Sequence, residues 1–95
     1  MATKNNPGQY DCYEKAHPDE PLFVLRANDV LAPYLVRIWA SLRCGDTELA
    51  VQLVKQAADV RHKAKGFAFS GDAKNAEAVK CAYDMEAWRF ENKHD

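Results

Sequence analysis

From Val30 onward the apolar positions recur at helical spacing. Val30, Leu31, Tyr34, Leu35, Ile38, Trp39 and Leu42 fall on one broad face of a helix. Asn28 and Asp29 are good N-caps for it, and Pro33 is tolerated in a first turn, where its missing N–H has no intrahelical partner. Gly45, which accepts positive φ, stops this helix, and Asp46 or Thr47 caps the next. Leu49, Ala50, Leu53, Val54, Ala57, Val60 and Ala64 give the second helix its own apolar stripe, ended by Gly66. So short a connection folds the two helices back as an antiparallel hairpin. Trp39, surrounded by apolar neighbours, is expected in the core.

The third helix runs from a cap at Ser70 or Asp72 to about Asn92 and carries two apolar stripes. Ala76, Val79, Tyr83, Ala87 and Phe90 form one; Ala78, Cys81, Ala82, Met85 and Trp88 form the other. One stripe can pack on the hairpin, and the other is expected to meet the N-terminal segment or a second copy, because soluble monomers rarely expose a large apolar patch. Upstream the pattern is weaker. Residues 1–9 are polar and read as a flexible arm, without the apolar centre of a signal peptide. Tyr10–Ala16 fits a short helix or an extended segment. His17-Pro18-Asp19-Glu20-Pro21 is a rigid turn, and Leu22–Arg26 is a short strand or an extended packing segment. The fold expected is mainly α: a three-helix domain over residues 10–95, built on the hairpin and preceded by the arm.

Composition narrows the function classes. The chain has 95 residues, 47% of them hydrophobic and 28% charged, which suits one globular domain. Thirteen basic and 14 acidic side chains leave a net charge of −1, so binding to nucleic acid through a broad basic excess is not expected. No apolar run approaches the roughly 20 residues of a membrane span. Cys12, Cys44 and Cys81 are odd in number and widely spaced, which reads as reduced thiols of a cytosolic protein rather than as a disulfide framework.

That near-neutrality is an average. Asp11, Glu14, Asp19, Glu20 and Asp29 outweigh Lys15 and Arg26, making this stretch −3, whereas Lys55, Arg61, Lys63 and Lys65 against Asp59 make residues 51–66 +3. The basic cluster ends a helix, where cations offset the partial negative charge of the helix terminus. The same cluster can hold the phosphates of a nucleotide or an acidic partner. A catalytic reading finds little: there is no glycine-rich phosphate loop, nucleophile elbow or paired metal-binding cysteines. Cys12 and His17 with Asp19 match no regular zinc spacing, so neither a metal nor a cofactor is expected.

Several of these segments resemble a family of short phage- and prophage-encoded proteins. The resemblance rests on Tyr10-Asp11-Cys12-Tyr13 and Ala16, on Pro18-Asp19-Glu20-Pro21 followed by Leu22-Phe23-Val24-Leu25-Arg26-Ala27 and Asp29, then on Ala32-Pro33, Val36-Arg37 and Trp39-Ala40. It is weaker over Cys81–Arg89, and residues 44–75 have no part in it. What it implies is a viral origin, work in the cytoplasm of a bacterial host, and stoichiometric action on host defence rather than catalysis. In one form the chain is a homo-oligomeric sponge that sequesters a nucleotide second messenger without cleaving it. Arg26, Arg61, His62, Lys65 and Arg89 would then meet phosphates, while Trp88, or Phe67 or Phe69, stacks a base. In the other it is a protein–protein inhibitor or adaptor acting on a host protein through Pro18, Asp19, Glu20, Pro21 and the acidic N-terminal surface.

Overall fold

The computed structural model describes residues 3–64 and 72–92, and these are mainly helical. Four helices follow one another: α1 (Cys12–Lys15), α2 (Ala32–Arg43), α3 (Thr47–Lys63) and α4 (Ala73–Asn92). They belong to two compact units. One, Val24–Asp72, contains α2 and α3; the other joins Met1–Phe23 to Ala73–Asp95 and contains α1 and α4. Lys65, Gly66, Phe67, Phe69 and Ser70, invoked above, lie outside the described residues.

The α2–α3 hairpin is defined by its corner. At the end of α2 the Gly45 N–H donates to the Leu42 carbonyl at 3.2 Å and the Asp46 N–H donates to the Ser41 carbonyl at 2.9 Å. This pair of bonds closes a helix through a left-handed residue, and Gly45 supplies it with φ +84°. Asp46 then starts the next helix, its carboxylate accepting the Leu49 N–H at 3.0 Å. One residue thus finishes α2 and caps α3, which is why the connection can be so short.

Inside the hairpin two heptad rows face each other. Leu31, Tyr34, Ile38 and Ser41 on one side, and Ala50, Leu53, Ala57, Val60 and Ala64 on the other, are all buried or half-buried and step by three and four residues. The alanines keep the helices close, and Leu53, 5% exposed, is the largest buried side chain of the row. Trp39 departs from expectation: it is 55% exposed. The apolar face of α2 is wider than one neighbouring helix can cover, and helical register turns Trp39 about 100° from Ile38, off the row that meets α3.

The start of α2 is also later than its pattern predicts. The Asp29 N–H donates to the Arg26 carbonyl at 2.9 Å, and the Asp29 side chain accepts the Leu31 N–H at 2.9 Å. Asp29 therefore caps a turn, and the helix opens at Ala32 behind Leu31, which has no side-chain cap. Pro33 in the first turn needs no N–H partner there. At the other end α3 stops at Lys63, with Ala64 already extended.

In the second unit, Tyr10–Ala16 resolves into the single turn α1, capped by Asp11, whose Oδ1 accepts the Tyr13 and Glu14 N–H groups at 3.1 and 3.3 Å. Leu22–Arg26, which crosses from this unit into the hairpin unit at Val24, is neither helix nor strand, and no strand is found among the described residues. A strand needs a paired ladder. The Leu22 carbonyl instead accepts a bond from the Cys81 thiol of α4, with sulfur and oxygen 3.4 Å apart. The half-buried stripe of α4 is Ala78, Cys81, Met85 and Trp88, whereas Val79, Tyr83 and Phe90 of the other stripe are exposed. The first of these stripes meets the N-terminal segment, as one of the two expected arrangements requires.

Candidate binding surfaces

The cationic end of α3 is built by three consecutive residues. Arg61, His62 and Lys63 occupy its last turn and are all exposed. At that position they complement the carbonyls left without intrahelical partners. Lys63 reaches back one turn to Asp59 at 3.1 Å, an exposed pair worth little to stability. Arg26 lies in the same unit, on the exposed turn before α2. This end of α3 is therefore a local concentration of cationic side chains exposed to solvent.

Trp88 and Arg89 belong to the other unit and diverge from one another along α4. The Trp88 ring turns inward, half-buried, with its centroid 5.7 Å from that of His17 and the planes tilted by 42°. Arg89 is exposed. The indole thus already has an imidazole beside it, from the residue that precedes Pro18-Asp19-Glu20-Pro21.

That turn is closed by its own residues. The Glu20 N–H donates to the His17 carbonyl at 3.0 Å, and the His17 N–H donates to the Glu20 carboxylate at 3.1 Å. Pro18 and Asp19 at its tip are exposed, while Glu20 and Pro21 are half-buried. The reciprocal bonds and the two fixed proline φ angles present the tip in one shape, an arrangement that lowers the ordering cost of any contact made there.

Pattern reading did not single out an open hollow of about 360 Å³ beside α1, lined by Lys4, Pro7, Tyr10, Asp11, Cys12 and Tyr13. Its walls come from one short stretch of chain. The Cys12 thiol there is 3.9 Å from the Tyr10 carbonyl, and the Lys15 ammonium sits 5.9 Å from the Tyr10 ring centre. All three cysteines are free thiols. Among the described residues no group of His, Cys, Asp or Glu side chains is arranged to hold a metal, and no helix is long and apolar enough to cross a membrane.

Compared with protein-family models, with curated proteins and with solved structures, the chain matches none.

Proposed function

We propose that the protein is a stoichiometric binding protein whose ligand is a nucleotide-type anion, held at the basic end of α3 and released chemically unchanged. The observation that carries this reading is the exposed last turn of α3, where Arg61, His62 and Lys63 follow one another. The Arg61 guanidinium and Lys63 ammonium on such a turn offer charge-assisted hydrogen bonds to phosphate oxygens, and the His62 ring can add an N–H donor. The resemblance to short phage proteins gives this binder its setting: a counter-defence sponge acting in the cytoplasm of a bacterial host, taking a second messenger out of circulation. Sequestration needs no nucleophile or general base; it needs affinity and copy number. A second reading, an inhibitor or adaptor docking on a host protein, is favoured by the self-closed turn that presents Pro18 and Asp19 to solvent.

Thermal denaturation against a panel of cyclic and linear nucleotides tests the proposal. A ligand that binds the folded state at about 100 times its Kd adds about 2.7 kcal/mol and raises the melting temperature. No shift with any nucleotide, together with saturable binding of a host protein that is lost in Asp19→Lys, overturns it in favour of the inhibitor.

A further inference from the structure

The hairpin has two unlike sides. Continuing the heptad register outward, Leu35, Trp39 and Leu42 of α2 lie on the same side as Val51, Val54 and Ala58 of α3. In an antiparallel pair the positions that follow each core row share a side. The opposite side carries Arg37 of α2 with Gln52, Gln56, Asp59 and Lys63 of α3 and is the more polar of the two, although Val30 and Leu49 are exposed on it as well. On the apolar side Leu35, Trp39, Leu42, Val51 and Val54 are each 41–57% exposed. By register, Trp39 and Val54 sit near the middle of this face and Arg61 marks one end.

We propose that this face is an interface between two copies of the chain, with the hairpins pairing about a two-fold axis to complete a four-helix core. Area supports it. With full surfaces of roughly 150–250 Å² for large apolar side chains, the five residues leave about 500 Å² of apolar surface in water on each copy. An interface of about 800 Å² per partner, about 65% apolar as in homodimers, draws about that much from each side. The interior of the hairpin shows the need: among the described residues only Ala32, Ala50 and Leu53 are buried apolar residues. Charge supports a second copy as the occupant. Groups near a two-fold axis meet their own copies, so charges at the middle of the patch would repel one another. The middle of this one, at Trp39 and Val54, is apolar, its arginines lie at one end and at the rim, and a net charge of −1 opposes self-association hardly at all. At its rim the exposed Arg43 guanidinium lies over the Trp39 ring, 4.8 Å from its centre.

This interface goes beyond nucleotide binding, and mass measured over a wide concentration series tests it. Sedimentation equilibrium of the full chain is expected to give twice the monomer mass of 10.7 kDa. Trp39→Asp weakens association by about a hundredfold or more while the far-ultraviolet helix signal is kept. Phe90→Asp, on the exposed stripe of α4, leaves the dimer intact. Should Trp39→Asp fail to fold, the Trp88→Phe protein answers the question instead. Its single indole, Trp39, shifts its emission to the blue as concentration rises. The proposal is overturned by a monomer at every concentration, by a dimer that survives Trp39→Asp, or by Trp39 emission that is already blue at high dilution, since a segment of the same chain then covers it. A monomer that still takes nucleotide removes the interface and leaves the binding reading standing; a dimer that takes none supports the interface and removes that reading.

Discussion

The thiol of Cys81 and the carbonyl of Leu22 are 3.4 Å apart across 59 positions of sequence, and two turns of helix further along α4 the Trp88 ring meets His17. These contacts fasten the N-terminal segment to one stripe of α4. Truncating Trp88→Ala removes the indole from a half-buried site and is expected to cost about 1–2 kcal/mol, less than truncation in a closed core. Denaturant unfolding checks the loss. A companion prediction is that His17→Ala costs no more than Trp88→Ala, since His17 is exposed whereas the indole is half-buried.

Leu53→Ala tests the packing of the hairpin. Leu53 is the largest buried side chain of the α3 row, so its truncation leaves a cavity and is expected to cost about 2–4 kcal/mol, read as a lower melting temperature. Gln56→Ala, on the exposed polar side, stays within about 0.5 kcal/mol of the parent.

The corner between α2 and α3 makes two separable predictions. Asp46→Ala removes the carboxylate that accepts the Leu49 N–H and is expected to cost about 0.5–2 kcal/mol, with Asp46→Asn restoring most of it. A Cβ at Gly45 meets nothing within 4 Å, yet φ is +84°. Gly45→Ala therefore costs about 1–2 kcal/mol through backbone strain rather than through a clash. Thermal melts of the two variants and of their combination check both.

These elements also show how far the fold is legible in the sequence. Gly45 and Asp46 are local signals, readable because positive φ and side-chain capping depend on a few adjacent atoms. The rows at Leu31, Tyr34 and Ile38 and at Ala50, Leu53, Ala57 and Val60 follow from period alone. What period does not reveal is how much of a wide apolar face one neighbour covers. Trp39 and Ile38 are adjacent in sequence and equally apolar in pattern, but only Ile38 lies in the row that meets α3. Similarly, Asp29 looks like a helix cap, and the turn it closes with Arg26 is what delays α2 to Ala32. For the candidate surfaces, the cationic end of α3 was legible as a charge run. The engagement of Trp88 by His17 was not, because it joins residues 71 positions apart.

On the exposed side of α4 the Lys80 ammonium lies 2.8 Å from the Asp84 carboxylate, one turn away. Hydrogen bonding to Asp84, helped by its charge, raises the Lys80 pKa above the ordinary 10.5. A raised lysine pKa favours the folded state at neutral pH, and this contribution is lost as the pH climbs through the folded pKa above 10.5. Nuclear magnetic resonance titration is expected to show the Lys80 midpoint falling in Asp84→Asn.

The account rests on binding without turnover at the cationic end of α3, and calorimetric titration with the nucleotide that most raises the melting temperature tests it most directly. It predicts saturable heat and quantitative recovery of the intact nucleotide. Affinity falls in Arg61→Ala, and the salt dependence is shallower than in the parent. Consumption of the nucleotide, or an affinity unchanged in Arg61→Ala and His62→Ala, contradicts it.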